Sequence, residues 1–168
     1  MTISCDEAQA QIYQGYLEWK RQHPDSMAFN NDDMFVKFRE ALVKIEAIKS
    51  SRLHKNVSKV LHSELGLSIE NEFVTNEGYT VDIKIGNLWM DLKTSEEKPL
   101  CIEVDGPSHF YQKSKRYTAS TLMKHRHLRA FGFHVISIPY WEWNRCKDIK
   151  AKKVYLRSKV ETRFREQH

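Results

Sequence analysis

The chain of 168 residues is long enough to bury the core of one domain, with room for a helical extension but not for a second independent domain. At 40% hydrophobic and 29% charged residues its composition is ordinary for a globular protein, and no run approaches the roughly 18 apolar residues of a membrane span, which excludes a transmembrane segment. The formal net charge of +5 conceals a division, because residues 1–110 carry 12 Lys+Arg against 18 Asp+Glu whereas residues 111–168 carry 15 against 4.

Residues 6–20 read as a first helix. The first 20 residues hold Asp6, Glu7 and Glu18 and only Lys20 as a base, the wrong sign for an Arg-rich organellar presequence. A breaker segment follows, in which Pro24 restricts its predecessor. The second helix is expected over 32–50, where Phe35, Phe38, Leu42, Ile45 and Ile48 recur at helical spacing and Asn31 or Asp32 can cap the start. Together these helices make an N-terminal extension, residues 1–50, ahead of a domain at 51–168. A third helix over 52–65 carries the stripe Leu53, Val57, Val60, Leu61 and Leu65 and stops at Gly66.

Then the hydrophobic period changes to two. A strand near 71–75, a turn at Asn76, Glu77 and Gly78, and a strand at 79–85 with Val81, Ile83 and Ile85 on one face make a hairpin. Residues 87–99 connect it, with weak strand character at first, to a buried strand at 100–105 that ends at Gly106 and Pro107. After a polar, basic loop at 111–119, a helix runs from Ser120 to Phe131 and stops at Gly132. The segment 133–140 is a strand closed by Pro139, residues 141–146 open a helical turn, and 148–167 form a basic helix with Ile149, Val154, Leu156 and Val160 among its apolar positions. This order predicts a mixed α/β fold around a central sheet. The three cysteines, Cys5, Cys101 and Cys146, are too few and too scattered for a disulfide framework or a zinc pattern and point to a reducing compartment.

The chemistry-bearing stretch is CIEVDGPSHF, residues 101–110. Alternation puts Cys101, Glu103 and Asp105 on one face of the strand, and Thr80, Asp82 and Lys84 on one face of the preceding strand. If the two strands are neighbours, Asp82 and Glu103 converge. Carboxylates at a strand end are the usual means of holding Mg²⁺, which polarises a phosphodiester and activates a water, so Asp82, Glu103 and Asp105 are a candidate metal site. The plain alternative is a turn, with Asp105 bonded to backbone N–H groups, Glu103 paired with a base on the next helix and His109 tied to the loop.

Three blocks, IEVDGPSHF, LMKHRHLRAFGFHVISIPYWEWN and KKVYLRSKV, resemble in order and spacing the RAP domain, the RNA-binding domain abundant in apicomplexans, over about residues 99–159. The resemblance implies a restriction-endonuclease-like fold akin to the PD-(D/E)xK nucleases of the very-short-patch-repair type. It also implies a role in mitochondrial or plastid RNA metabolism: ribosomal or messenger RNA processing or stability, or association with the mitochondrial ribosome. By position, Asp82 matches the first nuclease acid and Glu103 the second. The lysine of that pattern should stand two places after Glu103, and Asp105 stands there instead. Lys113, Lys115 or Lys124 can supply a displaced lysine. The leading reading is therefore RNA binding that requires no cofactor; the alternative is a Mg²⁺-dependent endoribonuclease using Asp82, Glu103 and Asp105 with Lys124.

The candidate RNA surface follows from the basic C-terminal third, since such an excess attracts phosphates and releases their counterions. Lys124, Arg126 and Arg129 lie on helix 120–131, Lys113, Lys115 and Arg116 in the preceding loop beside Tyr111, Tyr117 and His109, and Lys152, Lys153 and Arg157 on the terminal helix with Lys150, Lys159, Arg163 and Arg165. Bases interleaved with rings suit unpaired RNA, where cations follow phosphates and rings stack on bases. Trp141 and Trp143 read either as a stacking platform or as core. The expected partners are RNA and ribosomal or other ribonucleoprotein proteins, with no membrane.

Overall fold

A computed structural model describes residues 3–25, 32–47, 51–86 and 99–165. The first helix, α1 (Cys5–Gln22), opens with a capping box: the Glu7 N–H donates to Ser4 Oγ at 3.2 Å while the Ser4 N–H donates to the Glu7 carboxylate at 2.7 Å. It packs on α2 (Asp32–Glu46) through aromatic side chains, with the Tyr16 and Phe35 rings stacked at 4.1 Å. Ile48 and the capping side chains expected at Asn31 and Asp32 lie outside the described residues. The third helix, α3 (Arg52–Lys59), continues into a π-helical turn (Val60–Glu64) and ends at Gly66, whose φ of +68° suits glycine.

Four strands form an open sheet in chain order: β1 (Ile69–Val74), β2 (Thr80–Ile85), β3 (Leu100–Glu103) and β4 (His134–Ser137). The first three are antiparallel and β4 runs parallel to β3. A parallel pair cannot be closed by a tight turn, and α4 (Ala119–Ala130) supplies the crossover. The chain ends with α5 (Tyr140–Arg145) and α6 (Ile149–Arg165). The expected connection over 87–98 lies outside the described residues.

Alternation along the strands divides the apolar residues between two layers. Ile83, Ile85, Leu100, Ile102, Ile136 and Ile138 pack with Val57 of α3, Trp143 of α5 and Leu156 and Val160 of α6. On the other face, Cys101 and Val135 pack with Leu128 of α4 and with Ala10, Tyr13, Leu17 and Leu42 of the N-terminal helices. The architecture is thus a mixed α/β sheet flanked by helices, with the N-terminal pair built into one layer.

Three apolar expectations differ in the structure. Val81 packs with the N-terminal helices and not with Ile83 and Ile85, because the sheet is interrupted at the next residue. The pairing of β1 with β2 skips Glu72, at φ +56°, and the Asp82 N–H bonds the Glu103 carboxylate. Ile45 lies exposed at the end of α2, and Ile149 and Val154 are exposed on α6, where Leu156 and Val160 are buried in the core and Tyr155 packs against it.

Candidate nucleic-acid interface and carboxylate cavity

Extending the β2–β3 register by one step sets Asp82 opposite Glu103. There the ladder gives way to a reciprocal exchange: the Val104 N–H donates to Asp82 Oδ2 at 2.6 Å, and the Asp82 N–H donates to Glu103 Oε1 at 3.4 Å. Lys124 enters from α4 with Nζ 2.9 Å from Glu103 Oε2 and 3.2 Å from Glu46 Oε2 of α2. Asp82, Glu103, Lys124, Glu46, His54 and His109 line one cavity of about 570 Å³. Burial pushes the Glu103 carboxyl up to about 8 against the pull of Lys124, with Asp82 adding to the rise. Burial alone would lower the Lys124 ammonium, but Glu103, Glu46 and Asp82 outweigh it and hold the amine charged.

Asp105 is placed elsewhere. Its backbone N–H donates to Ile138 O at 3.0 Å and its carbonyl accepts from Tyr140 N–H at 2.9 Å, which carries strand pairing past the end of β3. The fully buried carboxylate accepts from the Tyr117 hydroxyl at 3.2 Å and from the Ser137 hydroxyl. Its other oxygen lies 3.4 Å from His109 Nδ1 and 3.8 Å from His125 Nε2. Burial raises the Asp105 carboxyl, opposed by Ser137, His109 and Tyr117. Burial, assisted by Arg129 and Lys124, lowers His125 to about 4, so the imidazole is neutral at physiological pH. Asp105 does not line the cavity that Asp82 and Glu103 share.

This donor set does not fit a Mg²⁺ ion as arranged. Asp82 Oδ2 and Glu103 Oε1 accept backbone N–H groups, and Glu103 Oε2 carries the Lys124 ammonium. Among the described residues no group of three His, Cys, Asp or Glu is placed to hold a metal ion.

Two cations of α4, Lys124 and Arg126, turn toward the N-terminal helices. Lys124 is buried, Arg126 Nε lies 3.4 Å from Glu18 Oε2, and His127 is enclosed between the Tyr79 hydroxyl at 2.8 Å and Glu18 at 2.9 Å. Arg129 follows one turn after Arg126, and its charge contributes to lowering His125. No local sequence signal announces Glu18 or Glu46 as partners of α4, since the contacts come from helices far away in the chain.

The loop after β3 offers a different surface. A 3-10 turn (Pro107–His109) leads into a Phe110–Tyr117 bridge, and the Tyr111 N–H donates to Arg116 O at 2.9 Å, which displays Lys113, Lys115 and Arg116 to solvent. Phe110 and Trp141 meet edge to face at 4.3 Å, Lys115 Nζ lies 5.7 Å from the centroid of the Trp141 ring, and Tyr111 is 52% exposed. Tyr117 braces the loop, bonding Asp105 and Ser137 beneath it. Trp143 belongs to the core at 3% exposure, whereas Trp141 is half-buried. On α6, Lys152 donates to Asn56 Oδ1 at 3.0 Å, Lys153 lies 3.5 Å from Glu64, Lys159 lies 2.8 Å from Glu142, and Lys150 and Arg157 are exposed. The side chains of Arg163 and Arg165 lie outside the described residues.

Residues 102–159 match the RAP domain family. The chain is 29% identical over 124 residues to FAST kinase domain-containing protein 3, mitochondrial, of Bos taurus, an alignment covering 69% of this chain and 19% of that protein. The Homo sapiens protein of the same name is 28% identical over the same length and with the same coverage. RAP domain-containing protein, chloroplastic, of Oryza sativa subsp. japonica is 28% identical over 110 residues, covering 65% of this chain and 16% of that protein. The aligned part thus spans less than a fifth of the length of these relatives.

Proposed function

We propose that this protein, whose residues 102–159 match the RAP domain family, binds single-stranded RNA without cutting it and serves organellar RNA metabolism. The observation that carries the reading is the platform of Tyr111, Lys113, Lys115, Arg116 and Trp141, where exposed cations stand beside rings able to stack on unpaired bases. Lys152, Lys153 and Arg157 extend it as phosphate contacts, which add affinity without sequence preference.

Lys124 favours binding over cleavage. Its ammonium occupies the Glu103 oxygen that a catalytic metal would need. The strand arrangement, three antiparallel strands followed by a helix and a parallel strand, supports a restriction-endonuclease-like fold retained as scaffold. In this reading residues 1–50 are an extension of the 51–168 unit. The words mitochondrial and chloroplastic in the names of the relatives support an organellar site of action. Within it we favour the mitochondrion, with ribosomal or messenger RNA, or a ribosome-associated particle, as the setting.

The deciding experiment incubates purified protein with labelled single-stranded and structured RNA, with Mg²⁺, Mn²⁺ or chelator, beside Asp82→Asn and Glu103→Gln. The expected result is salt-sensitive binding of single-stranded RNA, equal in all three proteins and without cleavage. Metal-dependent cleavage lost in both variants would replace this reading with the endoribonuclease.

A further inference from the structure

Most cations that the structure describes near a carboxylate are paired with it: Lys44 with Asp6, Lys84 with Glu70, Lys153 with Glu64, Lys159 with Glu142. One cleft breaks this habit. Between the start of α3 and the corner joining α5 to α6 lies a cavity of about 510 Å³ lined by Arg52, Asn56, Trp143, Asn144, Lys147 and Lys152, with no acidic residue in its wall. Three like charges gathered around one cavity repel one another, and an anion placed among them removes that repulsion.

The cleft is also ordered. Asn56 Oδ1 accepts from Trp143 Nε1 at 3.2 Å and from Lys152 Nζ at 3.0 Å, and Lys152 Nζ lies 5.1 Å from the centroid of the buried Trp143 ring. Lys152 is therefore held on a fixed support. Arg52 and Lys147 are exposed and form no ion pair among the described residues, so their side chains are available to a ligand. The nearest acid in sequence, Asp148, does not line the cleft, and its carboxylate accepts the Ala151 N–H at 2.7 Å at the start of α6. Finally, α3 has no acidic residue in its first turn, so the positive end of the helix adds to the same field.

We propose that this cleft is a phosphate site in which Arg52, Lys147 and Lys152 hold a phosphate group of bound RNA. That the phosphate belongs to RNA rests on the function proposed above; the cleft itself does not. Arg52 lies outside the segment matched to the RAP domain, so the site joins that segment to the helix preceding it. Its phosphate is either an internal phosphodiester of the strand or a terminal monoester.

The test compares the full chain with Arg52→Ala/Lys147→Ala, two exposed positions, after circular dichroism has established equal folding. Each protein is titrated with a 5′-phosphorylated single-stranded oligoribonucleotide, with the same oligonucleotide lacking the phosphate, and with inorganic pyrophosphate followed by calorimetry. The double variant is expected to bind RNA about tenfold more weakly and to lose about 0.7 from the slope of log K against log salt, the one phosphate contact that the cleft makes on a single strand. Equal loss on both oligonucleotides identifies an internal phosphodiester, and loss confined to the phosphorylated one identifies the terminus. Unchanged binding of all three probes overturns the site. If the wild type binds neither oligonucleotide, the RNA function fails. Pyrophosphate then decides the cleft alone: binding by the wild type that the double variant loses sustains a phosphate site, and no such loss removes it.

Discussion

Lys124 of α4 and Glu103 of β3 meet at 2.9 Å with both side chains buried, and Glu46 of α2 closes on the same ammonium at 3.2 Å. The contact joins the sheet, the crossover helix and the N-terminal helices through one charge. Lys124→Met removes the cation and leaves Glu103 and Asp82 facing each other in a buried site. Such a change costs about 3–5 kcal/mol where the remaining partner of a buried pair keeps its charge, so the full loss is expected above about pH 8, where Glu103 is ionised. Urea unfolding should show a lower midpoint with a similar slope; an unchanged midpoint would mean that the pair contributes nothing net.

The Glu103 carboxyl gives the protein a pH signature. Its folded value of about 8 lies above its ordinary 4.5, so the folded state binds the proton more tightly. The stabilisation is full below about 4.5 and is lost as pH rises through about 8. His125, lowered to about 4 from 6.5, works in the opposite sense, losing stability as pH falls from 6.5 toward 4, but it is present in both proteins compared. The difference in unfolding free energy between wild type and Glu103→Gln should therefore shift against the wild type between pH 5 and pH 8. A flat difference curve would contradict the burial assigned to Glu103.

Two neighbouring tryptophans should separate stability from binding. Trp143 is 3% exposed within the core, and Trp143→Ala should cost about 3–5 kcal/mol. Trp141 is half-buried beside Lys115. Trp141→Ala should leave the melting temperature nearly unchanged and weaken single-stranded RNA binding by about 1–3 kcal/mol, the range for loss of one stacked base. Fluorescence anisotropy and thermal melting on both variants make the comparison; loss of RNA binding in neither would remove the platform.

The hairpin turn is built on Gly78 at φ +90°. An added Cβ would lie 3.0 Å from Arg39 Cγ and 3.2 Å from Arg39 O, and that arginine itself holds the turn by donating to Thr75 O and Asn76 O. Gly78→Ala should destabilise by about 1–3 kcal/mol through the left-handed backbone alone, with the contact to α2 adding to it. Melting temperature reads the effect, and Glu77→Ala, one residue earlier, serves as the control expected to change little.

The order of elements was legible in the sequence because its signals are local. Apolar spacing, the shift of period after Gly66 and the glycines at 66, 78 and 132 mark where helices and strands begin and stop, and all three glycines adopt positive φ. Strand alternation also placed Asp82 and Glu103 on converging faces once β2 and β3 became neighbours. What the tertiary structure alone decided is which charged side chains remain available. Lys124 and Arg126 look like RNA contacts on a basic helix, yet Glu46 and Glu18 reach them from the N-terminal helices. Arg52 looks like an ordinary helix-start residue until α6 brings Lys152 beside it. Periodicity records which face of an element is apolar and is blind to which distant element docks there. Whether a charge is neutralised or offered to a ligand depends on that docking, because charge pairing acts over a few ångströms in space and not along the chain.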